Sequence, residues 1–125
     1  MGGFQGRPNK DEDTCYSFWV GASLALLGAD VASLTDVDAI GAFACSCEGP
    51  KGGVAKCVGN HPDVLHSYYA LAGLSLRGWP GLRRVEPGLG ITLRACEEAG
   101  LRVAAVKRVR EAAGCEPCQE QVEVD

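Results

Sequence analysis

Asp13, Cys15 and His66 offer one oxygen, one sulfur and one nitrogen to a metal ion. Zinc accepts such a mixed set, and three protein donors with a fourth position open are the pattern of a catalytic rather than a structural zinc site. Asp13 and Cys15 stand about 200° apart around a helix, so they cannot share a face in mid-helix. At a helix start the restriction lifts: Asp13 can take the non-helical N-cap position while Cys15 lies in the first turn. The positive helix end then favours the Cys15 thiolate. Plainer roles are open to the same residues, as a cap, a small buried thiol and a hydrogen-bonded helical histidine. No D-x-C…H spacing has the specificity of paired C-x-x-C motifs.

Arg7 and Lys10 lie just before the same helix start. Both can reach back over its N-terminus, where backbone N–H groups also favour an anion, and a diphosphate suits such a corner. Tyr16 adds a hydroxyl donor, and Trp19 follows one turn later on the same face. A solvated loop followed by core aromatics is the other reading of this stretch.

The elements that must position these groups follow from an internal repeat. At an offset of 50 residues Gly2 and Gly3 fall on Gly52 and Gly53, Asp13 on Asp63, Ser17 on Ser67, Leu24 on Leu74, Leu26 on Leu76 and Gly28 on Gly78. Trp19 falls on another aromatic, Tyr69. A gapless period of this size indicates stacked supersecondary units. Each unit reads as a Gly-rich turn, a polar stretch and a helix closed by glycine. The pattern predicts helices over 13–27, with Gly28 as the stop, and over 36–47, with Asp36 as N-cap. A third is predicted from Pro62, in the first helical position, to Gly78, and a fourth over 92–113, interrupted near Gly100. His66 then occupies the first turn of the helix one unit on from Cys15, so neighbouring helix starts converge. No useful stretch alternates with period two, so the chain is expected to be all-α. With two units, the first already under way at Met1, it is expected to be the end of a longer solenoid or ring.

The 125 residues suffice for one modest domain. They are 46% hydrophobic and 22% charged with a net charge of −4, a balance that does not point to nucleic acid. The cation clusters Arg83-Arg84 and Lys107-Arg108-Arg110 read as solvated helix faces and ends. No stretch approaches the roughly 20 apolar residues of a membrane helix, and the polar N-terminus lacks the apolar core of a secretory signal. Seven cysteines spread through a helical chain imply free or metal-bound thiols in a reducing compartment. Cys45, Cys47 and Cys96 read as helix-packing thiols. Cys115 and Cys118 lack the second pair that a structural zinc site requires.

Gly2-Gly3-Phe4-Gln5-Gly6-Arg7-Pro8-Asn9-Lys10 followed by Asp13-Thr14-Cys15-Tyr16-Ser17-Phe18-Trp19 resembles the zinc and diphosphate motif of protein prenyltransferase β subunits. His61-Pro62-Asp63-Val64-Leu65-His66-Ser67-Tyr68-Tyr69, then Gly73-Leu74-Ser75-Leu76, resembles their second metal segment. The similarity runs from about Gly2 to Arg94. Within the family the wording is nearest to type I geranylgeranyltransferases. Leu65 stands where farnesyltransferases usually carry a tyrosine. Lys56 stands where they place a magnesium-binding aspartate and type I enzymes place a lysine. Val85-Glu86-Pro87-Gly88-Leu89 is also similar to the type I segment.

The resemblance implies a partial α/α toroid, a C-terminal part of a ring of helical hairpins. Toroid repeats would occupy residues 1–94, a helical extension 95–113 and an acidic, fraying tail 114–125. It implies transfer of a geranylgeranyl group from geranylgeranyl diphosphate to the cysteine of a C-terminal C-a-a-X motif, in substrates such as small GTPases. One zinc held by Asp13, Cys15 and His66 would take the substrate thiol as its fourth ligand. Arg7, Lys10, Tyr16 and Lys56 would balance the charge on the leaving diphosphate, so magnesium is not expected to be required. Trp19 would line the isoprenoid channel, and Leu65 would face the peptide's aliphatic positions. A prenyltransferase α subunit is the expected partner and the cytoplasm the expected location. Two departures shrink apolar volume: Cys57 replaces an aromatic of the family, and Val54 replaces the phenylalanine of the second Gly-Gly-Phe. A farnesyl or Rab-directed relative, and a truncated remnant without activity, remain open alternatives.

Overall fold

A computed structural model describes residues 2–101. It contains α1 (Tyr16–Leu26), α2 (Val31–Leu34), α3 (Val37–Ser46), α4 (Val64–Leu76) and α5 (Leu93–Glu98). There are no strands among the described residues, only three isolated antiparallel bridges, Gln5 with Glu12, Glu48 with Val54 and Val85 with Thr92. The chain is therefore all-α, as the period of its apolar residues predicts. The expected helix beyond Gly100, the basic cluster at Lys107-Arg108-Arg110, the acidic tail and Cys115-Cys118 lie outside the described residues.

The helix ends follow local chemistry. Asp36 caps α3 by accepting the Ala39 N–H at 2.9 Å, and Gly28 and Gly78 stop α1 and α4 at φ 83° and 74°. Three boundaries differ from expectation. Asp63, not Pro62, caps α4: its carboxylate accepts the His66 N–H, and Pro62 stands outside the helix. The short α2 has no periodic signal in the sequence and exists because Asp30 caps it through Ala32 N–H. Helix α1 begins at Tyr16 rather than Asp13, because the N–H groups of Asp13 and Thr14 are taken by the Phe4 and Lys56 carbonyls at 3.0 and 2.9 Å.

The repeat reappears as hydrogen bonds. Asp13 N–H donates to Phe4 O, Asp63 N–H to Val54 O and Leu93 N–H to Arg84 O. These loops have equal length, and each leads into a helix. The third is invisible in the sequence because Leu82-Arg83 stands in place of the glycine pair. Phe4 and Val54, partners in the repeat, both pack on the cluster of Ile40, Ala44, Ala70 and Leu74 between α3 and α4. On its other side α4 meets α1 through Phe18, Ala22 and Ala72. Gly73 lets these two helices touch: a Cβ there would stand 2.7 Å from the Ser17 carbonyl carbon. Helix α4 is thus the middle layer, with its small residues, Ala70, Ala72 and Gly73, buried. Its outer stripe, Val64, Leu65, Tyr68 and Leu71, is exposed.

Candidate metal centre and anion cleft

Thr14 ties the start of α1 to the loop before α4. Besides its N–H bond to Lys56 O, its hydroxyl donates to Ala55 O at 2.9 Å. The turn holding Asp13, Thr14 and Cys15 is consequently buried, with Cys15 only 2% exposed. Asp13 is not the N-cap that its spacing implies; Cys15 holds that position. The Asp13 carboxylate instead accepts the Cys15 N–H at 3.0 Å, which turns its other oxygen outward.

Asp63 supplies what the sequence reading missed. Its Oδ1 accepts the His66 backbone N–H at 2.9 Å, and its Oδ2 lies 2.6 Å from His66 Nδ1. A carboxylate there accepts a hydrogen bond from Nδ1–H and leaves the Nε2 lone pair free, the arrangement that orients metal-binding histidines. Hydrogen bonds from His66 hold Asp63 below its ordinary carboxylate range. His66 Nε2 in turn lies 3.6 Å from Asp13 Oδ1. The signal was present in the sequence as an N-cap acid three residues before a histidine.

The donor atoms of Asp13, Cys15 and His66 all lie within 4.8 Å of one another. A zinc ion bonds such donors at about 2.0–2.3 Å, so inward shifts of less than about one ångström close the set around one ion. Burial pushes the Cys15 thiol up to about 12, assisted by the hydrogen bond and charge of Asp13. Those effects outweigh the helix-end effect expected from the sequence; a dication between the donors opposes both and favours the thiolate. Replacing Asp63 by Asn keeps the cap but withdraws the charge behind His66. Zinc affinity is expected to fall about 10- to 100-fold, measurable by competition with a chromogenic chelator, and unchanged affinity would remove Asp63 from the site.

Beside the donors lies a cleft of about 560 Å³, lined by Arg7, Lys10, Tyr16, Lys56 and Asp13 together with Gly6, Asp11, Glu12, Cys57 and Asn60. All four residues expected to meet an anion thus share one wall. Lys56 Nζ stands 3.7 Å from Asp13 Oδ2, which joins the cleft to the donor cluster. Asp11 and Glu12 also reach the cleft and were not anticipated. Cys57 also lines the cleft.

Trp19 and Leu65 are not part of this wall. Trp19 is 40% exposed and packs edge-on against Tyr16 at 5.0 Å and Tyr69 at 5.3 Å. Tyr69 stacks with Phe18 and touches Tyr68, whose hydroxyl donates to Gly90 O. An aromatic surface therefore leads away from the cleft through Tyr16, and the repeat partners Trp19 and Tyr69 meet on it. Leu65 is half-exposed in the first turn of α4, beside His66 in sequence. Cys47 and Cys96 are buried as expected, whereas Cys45 is exposed because it falls on the outer side of α3. Among the described residues no helix is long and apolar enough to cross a membrane.

Residues 1–91 match the family model described as the prenyltransferase alpha-alpha toroid domain. The chain is 48% identical over 94 residues to the geranylgeranyl transferase type-1 subunit beta of Arabidopsis thaliana, covering 75% of this chain and 24% of that protein. It is 49% identical over 94 residues to the subunit of the same name from Dictyostelium discoideum, covering 74% and 26%. Among solved structures, a Candida albicans protein geranylgeranyltransferase-I complexed with GGPP aligns with a TM-score of 0.68 and 36% identity, over 78% of this chain and 28% of that one. The chain thus spans about a quarter of the length of the curated relatives it matches.

Proposed function

The chain belongs to the prenyltransferase alpha-alpha toroid family, and from that membership we propose that it serves in a zinc-dependent type I protein geranylgeranyltransferase, as its β subunit or a portion of it. The transferred group is geranylgeranyl, the acceptor the cysteine of a C-a-a-X protein such as a small GTPase, and the partner an α subunit in the cytoplasm. The toroid repeats occupy residues 1–94. The observation that carries the reading is the meeting of Asp13, Cys15 and His66 at the edge of a cleft lined by Arg7, Lys10, Tyr16 and Lys56.

Zinc, when bound, lowers the pKa of a substrate thiol and so supplies a thiolate nucleophile at neutral pH. The chain's own residues do the rest. Asp13, Cys15 and His66 would hold the ion, with Asp63 keeping the His66 ring in register. Arg7, Lys10 and Lys56 place fixed positive charge, and Tyr16 a hydroxyl, where the departing diphosphate gathers negative charge. Because Lys56 is a resident cation beside that charge, magnesium is not required. Trp19, with Tyr16 and Tyr69, offers the isoprenoid an apolar surface next to the cleft, and Leu65 faces the aliphatic residues of the acceptor.

The identity of these relatives supports the type I reading over its siblings, as does the lysine at position 56. The test is a transfer assay on the α/β heterodimer that contains this chain, offered geranylgeranyl and farnesyl diphosphates with a peptide ending in C-a-a-Leu. Preferential geranylgeranyl transfer is expected. Preference for farnesyl, or for intact Rab proteins over the peptide, would move the chain to a sibling class.

A further inference from the structure

Arg77, just past α4, is a charged residue only 5% exposed, and no carboxylate pairs with it among the described residues. Its Nη1 donates to Ser17 O at 2.8 Å and to Gly73 O at 2.6 Å, and its Nε to Thr35 Oγ1 at 3.0 Å. Its Nη2 is buried without a hydrogen-bond partner. The guanidinium lies over the Phe4 ring, 5.2 Å from its centroid, and packs against Gly21, where an added Cβ would come within 2.9 Å of Nη1. A buried cation with an orphaned donor is costly, and an apolar side chain of similar volume would avoid that cost. Core stability alone therefore gives no reason for arginine here.

Two of the segments it joins carry the metal donors, and a third, at Phe4, holds one of them in place. Ser17 is half a turn past Cys15 on α1. Gly73 is on α4, two turns past His66. Phe4 carries the carbonyl that holds the Asp13 N–H. We propose that Arg77 is a positioning residue of the metal centre, one planar guanidinium that sets the spacing of the segments bearing Asp13, Cys15 and His66. The inference rests on the metal reading above. A planar fork suits the task because it spans carbonyls of two helices while its face meets an aromatic ring, which a lysine ammonium cannot reproduce at once.

Cobalt(II) titration of the 125-residue chain, followed through the visible absorption of the bound ion, tests the proposal without reference to transfer activity. Arg77→Met is expected to weaken cobalt binding about tenfold and to lower the visible absorbance at saturation, with helical circular dichroism unchanged at the assay temperature. Arg77→Lys, which keeps a donor for the carbonyls but not the planar fork over Phe4, is expected to recover only part of the affinity. Val85→Ala, which loosens the same α1–α4 cluster away from the guanidinium, is expected to bind cobalt like the unsubstituted chain. Affinity in Arg77→Met equal to that of the unsubstituted chain overturns the proposal alone, as does an equal loss in Val85→Ala. Absence of cobalt binding by the unsubstituted chain overturns the metal reading and this inference with it. Should Arg77→Met be unfolded at the assay temperature, Thr35→Val releases the Nε bond, along with the hydroxyl's own bond to Val31 O, and leaves both carbonyl bonds of Nη1 in place. A lowered affinity or absorbance there supports the proposal, and an unchanged titration overturns it.

Discussion

His66→Ala is expected to reduce bound zinc from about one ion per chain to essentially none after dialysis, and prenyl transfer by the heterodimer to fall with it by more than about 100-fold. The magnitude follows from the donor set. Among the described residues three protein donors stand within reach of one another, so removing one leaves two, too few to hold an ion against a chelator. Removal of groups that merely support a metal ligand costs about 10- to 100-fold in affinity, and a ligand itself costs more. Helical circular dichroism should persist, because His66 is a first-turn residue whose backbone N–H remains capped by Asp63. Elemental analysis of the dialysed protein reads the outcome directly, and unchanged stoichiometry would sink the assignment. The binding should also depend on pH in a defined direction. The Cys15 thiol is held protonated up to about 12 by burial and by Asp13, whereas the metal takes the thiolate. Binding at neutral pH therefore releases that proton, and the apparent affinity should fall about tenfold for each pH unit lowered.

Lys56→Ala is expected to lower kcat about 100-fold while leaving KM for the lipid diphosphate within a fewfold. Fixed donors aimed at developing charge are each worth roughly 10²–10³ in kcat. The ammonium lines the cleft and stands 3.7 Å from Asp13. Because the Lys56 side chain is about half exposed, its ion pair with Asp13 is a weak structural contact, so zinc content should be unchanged in the variant. That separates loss of charge balance from loss of the metal. Lys56→Asp carries the argument further: a carboxylate at the cleft should make transfer dependent on added magnesium, which supplies the missing positive charge. Full magnesium-free activity in Lys56→Ala would remove the residue from the mechanism.

Much of this site could be read before any coordinates. The 50-residue offset places His66 at the same point of its unit as the Cys15 turn in the preceding one, and the structure brings their donor atoms together. Arg7, Lys10, Tyr16 and Lys56, chosen for their chemistry, line a single cleft. The errors share a cause. Asp13 was expected to cap α1, but its own N–H and that of Thr14 are bonded to Phe4 and Lys56, residues of other segments. Cys45 is exposed and the third repeat loop is hidden for the same kind of reason: neither is written in residue type alone.

By itself the sequence determined the helical class, the period of the repeat, the capping of α3 by Asp36, the glycine stops and the identity of the donor atoms. Caps, stops and periodicity involve groups a few residues apart, so short-range stereochemistry decides them. Only the tertiary structure decided that Asp63 holds Nδ1 and frees Nε2, that Lys56 pairs with Asp13, and that Arg77 binds both α1 and α4. Those contacts depend on the crossing of α1 and α4, which is set where Gly73 admits Ser17.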